Sequence, residues 1–222
     1  MFNDATNYAQ QVDEVMLFIV ISSVILLLIV TVAMIYFVIR YNKKRNPVAS
    51  QISGNTKLEV FWIAIPTVLV LFMFYFGYAI FHESRVVPKG ALIVKVVGRM
   101  WEWKFEYNNG KDSKELYLPS GKPVKLELTT LDVNHSFYIP AFRIKEDVVA
   151  GRENYMVVLP QKLGTYDIVC AQYCGFHHSL MHTYLHVVSN DDFMKWLGTK
   201  DSLESNNRFQ EYYPVKKLLA KN

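Results

Sequence analysis

Apolar residues fall along this chain in two different periods. From Val15 to Ile39, about 25 residues pass without a charged side chain, interrupted only by Ser22, Ser23 and Thr31, which is long enough for a membrane-spanning helix. A second uncharged run, Val60 to Phe81, contains Pro66, a residue that spanning helices tolerate. Beyond about Ala91 the period shortens to two. Ala91–Val97, Trp101–Tyr107, Pro123–Thr130 and Thr165–Val169 read as strands, and Asn108–Gly110, Pro119–Gly121 and Pro160–Gly164 read as turns between them. Trp101, Trp103, Phe105 and Tyr107 alternate with Glu102, Lys104 and Glu106, which predicts one aromatic and one charged face.

The expected organisation is an external segment 1–14, transmembrane helix 15–39, inner loop 40–59, transmembrane helix 60–81, linker 82–90, a β-domain 91–190, and a C-terminal helix and tail 191–222. Six to nine short strands without long intervening helices predict an all-β Greek-key sandwich behind a two-helix transmembrane hairpin. The hairpin places membrane lipid among the partners. A cleaved signal is the alternative for the first helix. However, signals carry a basic start and a shorter apolar run, whereas Asp4, Asp13 and Glu14 precede this longer one.

Composition narrows the classes further. Of 222 residues, 51% are hydrophobic, which excludes a disordered chain. A net charge of +4 without a long basic tract gives no support for nucleic-acid binding. Two cysteines exclude a disulfide scaffold. Arg40, Lys43, Lys44, Arg45 and Lys57 lie in the short connecting loop, and residues 1–14 hold no Lys or Arg, so loop 40–59 is expected inside (cytoplasm or matrix), with both termini and the β-domain outside (periplasm or intermembrane space). Glu59 stands at the inner edge of the second span, where a carboxylate can simply mark the membrane boundary.

The densest chemistry is Cys170-Ala-Gln-Tyr-Cys174-Gly-Phe-His-His178-Ser-Leu-Met181, with His135 about 35 residues earlier at the end of a strand. Soft sulfur ligands with imidazole and a thioether select copper. One early His followed by a Cys, His and Met loop is the ligand order of cupredoxin sites. Two cysteines four apart can both bridge a pair of copper ions. A Cys170–Cys174 disulfide leaves the histidines and Met181 unexplained, and a structural zinc site has no use for Met181. His177, His182 and His186 fall outside this spacing and read as surface or packing residues. Asn134-His135-Ser136 matches a glycosylation acceptor, but a sugar there would crowd His135.

Over nearly its whole length the chain resembles subunit II of the haem-copper cytochrome c oxidases. The resemblance implies a cupredoxin domain with the dinuclear copper centre CuA on His135, Cys170, Cys174, His178 and Met181, and with the Gln172 carbonyl as axial ligand to the second copper. It also implies that Trp101 receives electrons, that Glu106 and Asp132 help dock cytochrome c or a cytochrome c subunit, and that Glu59 sits at the mouth of a proton-uptake path. The haems belong to the partner subunit I, where oxygen is reduced and protons are pumped, and subunit III is a further partner. Where the family has a Glu whose side chain holds magnesium at the subunit I boundary, this chain has Gln172, which puts that ion in doubt. Met100 and Glu102 also depart from the family, the latter replacing a ring between the two tryptophans.

Two rival readings follow from the same residues. The electron-accepting subunit of a copper-containing nitric oxide reductase shares the anchor and the centre. A membrane-tethered copper-binding or copper-delivery protein would leave Trp101 and Glu59 without a role. A quinol oxidase subunit lacks these copper ligands, and the chain has no Cys-x-x-Cys-His haem motif.

Overall fold

The computed structural model describes residues 5–48, 50–51 and 54–198; the tail expected beyond Gly198 lies outside the described residues. The chain forms two units, residues 11–82 and the remainder.

The first unit is helical. α1 spans Asn7–Arg40 and α2 spans Thr56–Ser84, and both are long and apolar enough to cross a membrane. Their side chains are exposed along the apolar stretches, as expected of surfaces that meet lipid or protein in place of water. At the end of α1 the Asn42 and Asn46 side-chain amides donate to the Ile39 and Arg40 carbonyls, satisfying groups that the last turn leaves unpaired. At the start of α2 the Asn55 carboxamide oxygen accepts from Leu58 N–H, 3.2 Å away, as an N-cap. Pro66 deletes one helical donor, and one residue later the Thr67 hydroxyl donates to the Ile63 carbonyl at 2.7 Å.

The second unit is a sandwich of two five-stranded sheets. In one, β1 (Leu92–Arg99), β2 (Glu102–Tyr107), β3 (Asp112–Ser113), β5 (Val124–Thr130) and β8 (Asn154–Val158) take the order β3-β2-β1-β5-β8. In the other, β4 (Leu116–Pro119), β6 (His135–Ile139), β7 (Ile144–Val148), β9 (Gly164–Cys170) and β10 (His182–Val188) take the order β4-β10-β9-β6-β7. The β1–β5 and β4–β10 pairs are parallel and the others antiparallel. Among the described residues, ten strands exceed the expected six to nine because pieces such as the two-residue β3 are too short to show a period.

Alternation places the core. In β5, Val124, Leu126 and Leu128 point inward with Lys125 and Glu127 outward; in β2, Trp103, Phe105 and Tyr107 are buried. Each such ring or branched chain contributes roughly 1.5–3 kcal/mol through burial. Trp101 precedes β2 and is only half-buried, so it leaves the aromatic face that the alternation had assigned to it. α3, Asn190–Gly198, closes the sandwich by laying Phe193 and Trp196 against Tyr107 and Tyr117.

Two further segments join this unit. Thr6 bridges Pro160, the Ala5 carbonyl accepts from Gln161 N–H at 2.9 Å, and Ala5, Thr6 and Ala9 are buried. Within the expected external segment, Ala5 and Thr6 pair with the sandwich edge and α1 begins at Asn7. Directly after α2, the Arg85 guanidinium pairs with Glu146 at 2.6 Å and lies over the Tyr155 ring, whose hydroxyl donates back to the Arg85 carbonyl.

Candidate metal centre

Strand pairing assembles the site. β9 ends at Cys170 and β10 begins at His182, and the two strands pair antiparallel, so the eleven-residue loop 171–181 starts and ends on neighbouring backbones. Cys170 N–H donates to the Met181 carbonyl at 3.1 Å, closing its base. β6 pairs with β9 on the other side, Phe137 opposite Cys170, and the Ser136 carbonyl accepts from Ala171 N–H. His135, the first residue of β6, is thereby carried to the same end of the sheet.

The donor atoms converge. Cys170 Sγ lies 3.8 Å from Cys174 Sγ, 3.8 Å from His135 Nδ1 and 3.2 Å from the Gln172 carbonyl oxygen. Cys174 Sγ lies 3.6 Å from His178 Nδ1 and 3.9 Å from Met181 Sδ. Metal–thiolate bonds of about 2.3 Å allow ions to sit between sulfurs at this separation. The two cysteines are free, and a disulfide would need sulfurs about 2.05 Å apart. His135, both cysteines and Met181 are buried, so water competes little for a bound ion.

The electrostatics favour one thiolate before any metal arrives. Burial pushes both thiols up. At Cys170 the hydrogen bonds from His135, from the backbone at Ser136 and Gln172, and from His178 outweigh burial and bring the thiol down to about 6. At Cys174 burial is joined by the charge of Cys170, and the thiol is pushed up to about 12. Burial lowers His135, but its contacts with Cys170 and Asp132 leave it above the ordinary imidazole value.

Asp132 sits behind this cluster. Its Oδ1 accepts from Val133 N–H, Thr130 Oγ1 and His135 Nε2, and its Oδ2 accepts from Met100 N–H at 2.6 Å. Burial alone would raise this carboxyl, yet those donors hold it below the usual carboxylate range. The side chain expected to face a docking cytochrome hydrogen-bonds His135; the Asp132-x-x-His135 spacing was the available clue.

Trp101 lies against the loop. Its Nε1–H donates to the Cys174 carbonyl at 3.2 Å, and the ring packs on Gly175, whose φ of +114° and bare Cα suit that approach. His177, read from sequence as a surface or packing residue, has its ring centroid 4.7 Å from the Trp101 ring. His182 and His186 pair with Asp167 and Glu115. Glu106 pairs with Lys104 on the outer face of β2, and Glu59 lies in the first turn of α2.

The chain matches the family of cytochrome c oxidase subunit II transmembrane domains over residues 1–80 and that of its periplasmic domains over residues 111–188. The "Alternative cytochrome c oxidase subunit 2" of Bradyrhizobium diazoefficiens is 32% identical over 198 residues, which cover 74% of this chain and 71% of that protein. The chain belongs to the cytochrome c oxidase subunit II family. The "Probable cytochrome c oxidase subunit 2" of Rickettsia conorii is 30% identical over 78% of this chain, and the match spans only 62% of that relative's length. Among solved structures, the periplasmic domain of subunit II of the cytochrome oxidase of Bradyrhizobium japonicum is 28% identical, covering 50% of this chain and 94% of that one, with a TM-score of 0.48. The subunit II chain described here carries a candidate copper-binding site in its sandwich domain, at His135, Cys170 and Cys174.

Proposed function

We propose that this subunit II accepts single electrons from a cytochrome c at a dinuclear CuA centre and passes them to a haem in subunit I, where oxygen is reduced to water with proton pumping. The observation that carries the proposal is the convergence of six donors of the right softness: two thiol sulfurs, two imidazole Nδ1 atoms, the Met181 thioether and the Gln172 carbonyl. When bound, the copper pair supplies a one-electron carrier whose charge is spread over several atoms.

The chain's own residues have separable roles in this reading. Cys170, Cys174, His135, His178, Met181 and the Gln172 carbonyl would hold the copper pair, which would supply one-electron transfer. The paired ends of β9 and β10 keep the ligands from rearranging, which suits a carrier that gains and loses charge repeatedly. Asp132 holds the proton of His135 on Nε2 and so leaves the Nδ1 lone pair for metal. Trp101 links the surface to Cys174 through one hydrogen bond, making it the receiving ring.

Glu59 is assigned to the mouth of a proton-uptake path in the partner subunit, with loop 40–59 inside, both termini outside, and subunits I and III as neighbours. The Gln172 side chain carries no charge, so magnesium at the subunit boundary does not form part of the proposal.

Copper quantification and EPR of the copper-loaded full chain in detergent test the reading. Two coppers per chain with a seven-line pattern from one electron shared by two nuclei are expected. One copper with a four-line signal, or retention of zinc without a signal, overturns it.

A further inference from the structure

We infer that the electron donor docks on a charge-compensated apolar patch around Trp101, and that the donor presents an uncharged apolar rim around its own redox group rather than a ring of lysines. This deepens the proposed function and rests on it.

The patch is built from two loops. Met100 and Val133 lie 44% and 40% exposed, joined underneath by Asp132, which accepts from the backbone N–H groups of both. On the other side Phe176 stands 86% exposed, its ring centroid 4.8 Å from that of His177, which in turn lies 4.7 Å from Trp101. A phenylalanine held this far into water forgoes the burial its side chain favours, which a partner surface can supply. Continuity with the centre comes from Trp101 itself, through the Cys174 carbonyl.

Charge decides the kind of partner. A lysine-ringed donor needs carboxylates free to face it, and Asp132 and the acids of the β2–β3 hairpin are engaged within the chain. Asp132 is only 18% exposed and serves His135 and two backbone amides. Glu106 and Asp112 both pair with Lys104, at 2.9 and 2.7 Å. Glu102, standing where the family resemblance calls for a ring, pairs with Arg99 and lies 3.8 Å from Lys114. Three acids on the β2–β3 hairpin thus meet three cations, and long-range steering has little net charge to act on. Association is then set by desolvation of apolar surface, which salt screens weakly.

The test uses the assembled oxidase and two purified donors, a c-type cytochrome with a lysine-rich haem rim and one with an uncharged apolar rim. Stopped-flow reduction is followed from about 0.01 to about 0.3 M salt. With the apolar-rim donor the second-order rate constant is expected to change less than about threefold over that range, to fall about tenfold or more in Phe176→Ser, and to stay within about twofold in Glu106→Gln. Phe176 makes few contacts with the fold, and an unchanged two-copper EPR signal in the variant confirms an intact centre. A steep fall with salt, or Glu106→Gln costing as much as Phe176→Ser, overturns the inference in favour of acidic steering. An unchanged donor rate in Phe176→Ser overturns it too. Absence of the two-copper signal in the unsubstituted oxidase instead overturns the proposed centre.

Discussion

Asp132 Oδ1 lies 2.9 Å from His135 Nε2, while Nδ1 of the same ring faces Cys170 Sγ at 3.8 Å. A carboxylate behind a metal-binding imidazole fixes both its tautomer and its orientation. Asp132 is in turn fixed by Met100 N–H, so His135 and the segment leading into Trp101 share one anchor.

Removing that anchor should weaken the site without removing a ligand. Asp132→Ala is expected to lower copper affinity by about 10–100-fold, the usual cost of losing such a partner. Chelator competition measures the affinity. Hyperfine coupling from the histidine nitrogens should change as well, a response that general destabilisation would not produce. Unchanged affinity and coupling would remove Asp132 from the centre.

Cys174→Ser leaves His135, Cys170, His178 and Met181 but only one bridging sulfur. The expected product binds one copper per chain with a four-line EPR signal, read by metal analysis and EPR. Retention of a two-nucleus signal would show that Cys174 does not bridge.

Copper loading should strengthen as pH rises, because the metal takes the thiolates and every bound proton must leave. With Cys170 down at about 6 and Cys174 up at about 12, loading between roughly pH 7 and 9 releases about one proton, from Cys174. Apparent affinity therefore rises about tenfold per pH unit there. At lower pH the slope steepens, first as His135, held above the ordinary imidazole value, takes a proton and then, below about pH 6, as Cys170 does. Competition titrations in buffers of graded pH measure the slope, and a flat profile would contradict the one-thiolate arrangement.

Gly98 supports the centre through its lack of a side chain. A Cβ there would stand 3.0 Å from Trp103 Cζ3 and 3.4 Å from His135 Cδ2. Both rings are buried, so neither can swing away freely. Gly98→Ala is expected to cost about 1–3 kcal/mol, as overpacking does, and to shift the copper EPR parameters along with Tm. A variant of normal Tm and unchanged spectrum would show that the rings yield without strain.

The sequence by itself determined the two helices, the sandwich and the candidate ligands. Each is written locally, as apolar runs of spanning length, a period of two, and two sulfurs, an imidazole and a thioether within twelve residues. Only the tertiary structure decided how the remaining residues are used. Trp101 and Trp103 share an alternation, yet one lies against the loop after Cys170 and the other is buried beside His135. Asp132 and Glu106 both looked like exposed acids; one is turned inward to His135 and the other is held by Lys104. Ala5 and Thr6 carry no periodic signal and pair with the sandwich edge at Pro160 and Gln161. The physical reason is common to these cases. Periodicity reports which face a residue takes on its own strand, whereas partners come from which strands pair and in what register, such as β6 against β9, and these are fixed by the burial of the whole core.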